Sequence, residues 1–197
     1  MNILLHACCA PCLIETYKSL VKEGHEVKVL FYNPNIMPYR EFRKRLESFK
    51  EYTHRQGISS IIDEDYKLEY MLRRYLERGE SPRCRVCYYV RLGETARIAS
   101  ERNFDAFSTT LAVSPYQDHE LIRKAGEAAA REHQVEFVYK DWRPLFRATE
   151  EAARMKNLYM QTYCGCIFSE EERYRPSVRK KIARERRKAR EKEKIRR

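Results

Sequence analysis

Glycine and proline are scarce in this chain, 6 and 7 of 197 residues, and tryptophan occurs once. So little turn chemistry excludes collagen-like and low-complexity disordered classes and favours a helix-rich globular protein. No apolar run approaches the ~20 residues that a bilayer-spanning helix needs. Met1 to Leu5 gives way to His6 and three cysteines before a secretory signal pattern develops. The expected location is cytoplasmic, with no membrane partner. Also missing is the glycine-rich phosphate cradle that nucleotide-binding folds carry after their first strand. Cysteines stand in its place, which counts against a nicotinamide dehydrogenase or an ATP-using tRNA-modifying enzyme. The chain has no internal repeat.

What is present is cysteine, base and periodicity. The seven cysteines fall in three groups, Cys8, Cys9 and Cys12, then Cys84 and Cys87, then Cys164 and Cys166. An odd number argues against a closed disulfide framework, and in a reducing compartment such clustering points to metal or redox chemistry. Net charge is +11, from 40 Lys+Arg against 29 Asp+Glu. Residues Arg173 to Arg197 hold 14 of those bases and 3 Glu, so residues 1–172 balance at 26 of each sign. A one-signed excess of this kind suits a polyanion such as RNA, although a charge run is more often a solvated helix face.

Apolar runs and helical spacing alternate along the chain. Strands are expected at Asn2–Ala7, His25–Tyr32, Ile58–Ile62, Asp105–Leu111 and Val135–Tyr139. Helical patterns run from Leu13 toward Gly24, Tyr39–Gln56, Asp65–Arg78, Val86–Arg102, His119–Glu132 and Ala148–Lys156. This alternation predicts an α/β, Rossmann-like, mainly parallel sheet with helices on both faces over residues 1–172, followed by a basic, helical tail over 173–197. In such sheets ligands bind beyond the carboxyl ends of the strands. Cys8 and Cys9 follow the first strand there, Asn33 and Asn35 the second, and Thr109 and Thr110 end the fourth.

Cys9-Ala10-Pro11-Cys12 is a C-x-x-C between strand and helix, where backbone N–H groups and the helix dipole favour thiolates. A thioredoxin-like dithiol shares that position but leaves five cysteines unused. Cys84-Arg85-Val86-Cys87 repeats the spacing at a helix start, and Gly165 frees Cys164 and Cys166 to bend toward one side. Spacing alone leaves zinc and iron–sulfur chemistry level. The loop Ser114-Pro115-Tyr116-Gln117-Asp118-His119 offers Asp118 or His119 as an acid or metal ligand, or simply as a helix start.

Taken together, His6-x-Cys8-Cys9-Ala10-Pro11-Cys12, Tyr32-Asn33-Pro34-Asn35-Ile36-x-Pro38, Cys84-x-x-Cys87-Tyr88-x-x-Arg91-Leu92, Ser114-Pro115-Tyr116 and Tyr163-Cys164-Gly165-Cys166 resemble the QueH family of cobalamin-independent epoxyqueuosine reductases. The resemblance implies a HUP-like variant of the Rossmann architecture. It also implies a [4Fe–4S] cluster with a neighbouring mononuclear iron, a tRNA substrate carrying epoxyqueuosine in its anticodon, and an external electron donor. On this reading Cys9, Cys12, Cys84 and Cys87 are expected to hold the cluster. Cys8, Cys164 and Cys166 would face the second metal, with Asp118 as an oxygen ligand. Asp118, His119 and Tyr116 are the candidate proton donors, Asp118 first. The competing readings are a zinc-stabilised RNA-binding module and a thioredoxin-like dithiol reductase.

Overall fold

The computed structural model describes residues 1–178 and 180–185. Strands β1 (Asn2–His6), β2 (Glu26–Phe31), β3 (Ser60–Ile62), β4 (Ala106–Thr109) and β5 (Glu136–Phe137) pair in parallel in the order β3-β2-β1-β4-β5. Central β1 is apolar on both faces, with Ile3, Leu4 and Leu5 fully buried, because helices cover the sheet on both sides. Its register sets His6 between Leu30 and Thr109. The chain reverses its direction of travel across the sheet between β1 and β4, so the crevice at their carboxyl ends is the natural ligand position.

The helices are α1 (Ala10–Lys22), α2 (Tyr39–Arg55), α3 (Leu68–Leu76), α4 (Arg83–Glu101), α5 (His119–His133), α6 (Phe146–Met155) and α7 (Ile167–Tyr174). One layer groups α1 with α2 and α6, and another pairs α4 with α5. The α2 stripe Phe42, Leu46 and Phe49 is buried, with the Phe49 ring 5.0 Å from Phe31 of β2. On the other flank α5 approaches β5 so closely that a Cβ on Gly126 would lie 2.0 Å from the Phe137 ring. None of the described helices is long and apolar enough to cross a membrane.

Local side chains trim the expected elements. Asp63 Oδ1 accepts the Asp65 N–H at 2.9 Å, an Asx turn that holds residues 63–65 out of α3, so the helix starts at Leu68 and not at Asp65. Thr109 Oγ1 accepts the Leu111 N–H at 3.2 Å and turns the end of β4 into a 3-10 turn over Thr110–Val113. At β5 the Ser108 hydroxyl donates to the Val138 carbonyl at 2.7 Å, a side-chain bond where a longer strand would extend the ladder. α7 crosses residue 172, residues 176–178 and 180–185 are helical, and the rest of the expected tail, Arg179 and 186–197, lies outside the described residues.

Candidate metal centre

The first thiol group grows directly out of β1. Cys9 is the N-cap of α1, its sulfur accepting the Cys12 N–H at 3.4 Å, and Pro11 sits in the first turn, where its missing N–H costs nothing. This places Cys12 one turn on, facing the same side. Cys8 is fixed from the turn that follows β4: its N–H donates to Thr110 Oγ1 at 3.2 Å, and that hydroxyl lies 3.5 Å from its sulfur. Cys8 and Cys9 sulfurs are 3.6 Å apart, and all three sulfurs lie within 4.8 Å of one another. Among the described residues this is the only set of three such ligand atoms so close together. Gln161 Nε2 completes it from the far end of the chain, 3.0 Å from Cys9 Sγ and 3.7 Å from Cys12 Sγ.

The remaining thiols come from the first turn of α4 and from a loop before α7. Cys84 and Cys87 are one helical turn apart beyond Pro82, the N-cap of α4. Cys164 and Cys166 sulfurs are 3.7 Å apart and share Ser169, whose Oγ is 3.0 and 3.4 Å away. Gly165 makes this hairpin of thiols feasible: its φ is +119°, and a Cβ there would lie 3.0 Å from Ile36 and 3.2 Å from Arg45 Nη1. Arg45 of α2 clamps the loop, donating to the carbonyls of Cys164 at 3.0 Å and Tyr163 at 2.8 Å while its Nε pairs with Glu41 at 2.7 Å. Met37 N–H donates to Gly165 O, and Tyr163 OH to Met37 O, each at 2.7 Å. The Asn-Pro-Asn loop after β2 and the last cysteines are therefore one packed assembly.

Between the groups lies Arg91, buried on α4. It donates to Asn33 Oδ1 at 2.7 Å and lies 3.4 Å from His6 Nε2 and 3.8 Å from Cys87 Sγ. Asn33 in turn donates to Ala7 O at 2.9 Å. Burial, reinforced by Arg91, pushes His6 down to about 3, so its ring is neutral and holds Thr109 Oγ1 at 2.9 Å. Hydrogen bonds from Cys12 and Cys9 hold the Cys8 thiol well below its ordinary range, while Cys12 is pushed up by its bond to Cys8 and Cys9 by burial. Likewise Cys164 is lowered by its bond to Cys166, which is raised by the same bond. Burial pushes Cys84 up to about 11 and raises Cys87. The first and third groups therefore each ionise readily once and resist a second thiolate, whereas burial opposes ionisation of both Cys84 and Cys87, a resistance that a bound cation removes.

The candidate acids occupy the loop leading into α5. Asp118 is exposed and caps that helix, Oδ1 accepting the Leu121 N–H at 2.9 Å. His119 has both ring nitrogens engaged, Nδ1 at 2.8 Å from Tyr139 OH and Nε2 at 3.1 Å from Ser114 O. Tyr116 is 72% exposed, its ring edge-on to Phe146 at 5.8 Å. The loop is tied to the thiols through Tyr88, the neighbour of Cys87, whose hydroxyl bonds Gln117 Oε1 at 2.6 Å and the Asp118 N–H at 3.3 Å.

Sequence reasoning missed Arg45, Gln161 and Tyr75. Arg45 had a readable signal: it falls between Phe42, Leu46 and Phe49 on the inward stripe of α2, where a charge demands a partner. Gln161 has none. Tyr75, on α3, has a buried hydroxyl without a hydrogen-bond partner, and its phenol is raised by burial and then by Cys87, Cys166 and Cys164 beside it.

A family model described as Epoxyqueuosine reductase QueH matches residues 3–172. Curated relatives bearing the same description include one from Dehalococcoides mccartyi, 36% identical over 88% of this chain and 94% of that protein. Another from Acinetobacter baylyi is 34% identical over 85% and 80%, and one from Thermotoga maritima 33% over 85% and 90%.

Proposed function

The chain belongs to the epoxyqueuosine reductase QueH family, and from that membership we propose that it reduces epoxyqueuosine to queuosine in the anticodon of a tRNA, at the wobble position. It is an oxidoreductase of tRNA modification. The observation that carries the reading is convergence at the carboxyl edge of the sheet: Cys8, Cys9 and Cys12 close into one set after β1, and the buried guanidinium of Arg91 reaches from Cys87 of α4, at 3.8 Å, to His6 of β1, at 3.4 Å. A structural zinc site needs four ligands, whereas this chain carries seven free thiols.

The residues fit an iron–sulfur centre. All seven cysteines are free. Donors already point at sulfur from Gln161, Arg91, the Cys12 N–H and the Ser169 N–H. Two further buried donors, Tyr75 OH and Arg83 Nε, have no partner, and the thiols of Cys166 and Cys84 bear on Arg83 as well. N–H···S and O–H···S bonds of this kind are what a thiolate-bound cluster takes up. In our proposal Cys9, Cys12, Cys84 and Cys87 hold the cluster, while Cys8, Cys164 and Cys166, with Asp118, face an adjacent iron. Cys8, next to Cys9, then links the two sets.

Conversion of the epoxide to an alkene and water consumes two electrons and two protons, and the cluster supplies electrons from an external donor. The chain supplies the rest. The loop from Ser114 to His119 brings an acid to the departing oxygen. Asp118 is the favoured donor, since it is exposed to solvent while both His119 nitrogens are occupied. The basic tail holds the tRNA backbone and leaves base recognition to the crevice.

The test is anaerobic. Protein loaded with iron and sulfide is incubated with a low-potential reductant and an anticodon stem-loop bearing epoxyqueuosine, and the nucleosides are resolved by mass. Loss of one oxygen from the modified nucleoside is expected. A protein that retains zinc without acid-labile sulfide and leaves the epoxide intact returns the chain to the zinc-stabilised RNA-binding reading. Activity without metal, lost on alkylating Cys9 and Cys12, returns it to the dithiol one.

A further inference from the structure

Among the described residues two arginines are buried, and they are balanced differently. Arg45, 2% exposed, is paired with the Glu41 carboxylate at 2.7 Å. Arg91, also 2% exposed, has an amide oxygen, a neutral imidazole nitrogen and a sulfur for partners, and among the described residues none of them is a carboxylate. A buried cation with no counter-charge is costly, so the anion that offsets it must be supplied at the site.

We propose that Arg91 is the charge-compensating residue of the thiolate centre: its guanidinium is the fixed counter-cation of whatever anionic metal–thiolate assembly Cys8, Cys87 and their neighbours form. The inference rests on the reading of the site as a metal centre. Two features support it. The sulfur of Cys87 is 3.8 Å from Nη1. The Asn33 bond at 2.7 Å, with Asn33 itself held by Ala7 O, fixes the fork so that it cannot swing to solvent.

An iron–sulfur cluster with four thiolate ligands is a net anion, and each one-electron reduction by an external reductant adds one more negative charge with no bond broken. A fixed positive charge beside it therefore stabilises the reduced form more than the oxidised form and raises the potential. A brace that merely linked Asn33 to α4 would do neither.

The experiment compares wild type, Arg91→Lys, which keeps the charge and loses the fork, and Arg91→Gln, which keeps hydrogen bonding and loses the charge. Each is loaded anaerobically and assayed for metal and acid-labile sulfide, for the chelator concentration that strips the metal, and for the midpoint of a dithionite titration followed by absorbance. The expected result is that Arg91→Gln releases metal at roughly tenfold lower chelator and is reduced at a more negative potential, with Arg91→Lys close to wild type in both. If Arg91→Gln does not load at all, loading of Arg91→Lys supports the inference. Failure of both overturns it, because the fork and not the charge is then what the site needs. Equal chelator resistance and equal midpoints in all three proteins also overturn it, and leave the metal reading standing. A wild-type chain that takes up no metal refutes that reading and this inference together.

Discussion

Asp118 has a structural duty and a proposed chemical one, and substitution separates them. Asn caps a helix as well as Asp does, so Asp118→Asn should melt at the wild-type temperature and keep its cluster, yet turn over on the order of a hundredfold more slowly. Asp118→Ala should in addition lose about 1 kcal/mol through removal of the bond to the Leu121 N–H. Wild-type turnover by the Asn variant removes Asp118 from the chemistry. Gly165 offers the opposite case, a residue whose importance is steric. Alanine there meets Ile36 and Arg45 at a φ of +119°, so Gly165→Ala should cost about 1–3 kcal/mol in a denaturant titration. It should also lower the iron bound per chain, since Cys164 and Cys166 hang on that turn.

At the scale of elements, two contacts hold the sheet and the site in register. The first is α5 on β5. Gly126→Ala drives a methyl into the Phe137 ring, which Phe107 backs at 5.0 Å, and should destabilise the fold by about 1–3 kcal/mol while sparing metal content. The second is the clamp from α2 to the loop before α7. Arg45→Met leaves Glu41 buried without its cation and releases two loop carbonyls, so a loss of about 3–5 kcal/mol is expected. Adding Glu41→Gln should restore part of it, measured as a positive coupling in a double-mutant cycle. Independent, additive losses would show that the pair is not the clamp.

For the molecule as a whole, charge is divided between a balanced body and a basic end. The Tyr174 ring stands 6.3 Å from Tyr163, and its hydroxyl bonds Thr162, so a truncation that spares the fold belongs after Arg175. It removes 12 Lys and Arg against 3 Glu. If the tail grips phosphates, the truncated protein should keep its metal but show a higher KM for tRNA. Its log–log salt slope should flatten by about 0.7–0.9 for every phosphate that the tail no longer neutralises. An unchanged slope and KM mean that the tail does not hold the tRNA.

Much of this was legible in the sequence because it is written in local pattern. Apolar runs alternating with helical stripes dictated a parallel α/β sheet, and the C-x-x-C pairs marked where thiols leave strand or helix ends, since both follow from spacing along one stretch of chain. Element ends were misjudged wherever one polar side chain overrode the ladder or helix, as at Asp63, Thr109 and Ser108. Only the tertiary structure decided what meets the thiols and the buried charges: Gln161 reaches Cys9 and Cys12 across more than a hundred residues, and Arg45 and Arg91 find opposite kinds of partner. Those facts depend on distances between segments that folding alone brings together, and no periodicity in the sequence encodes them.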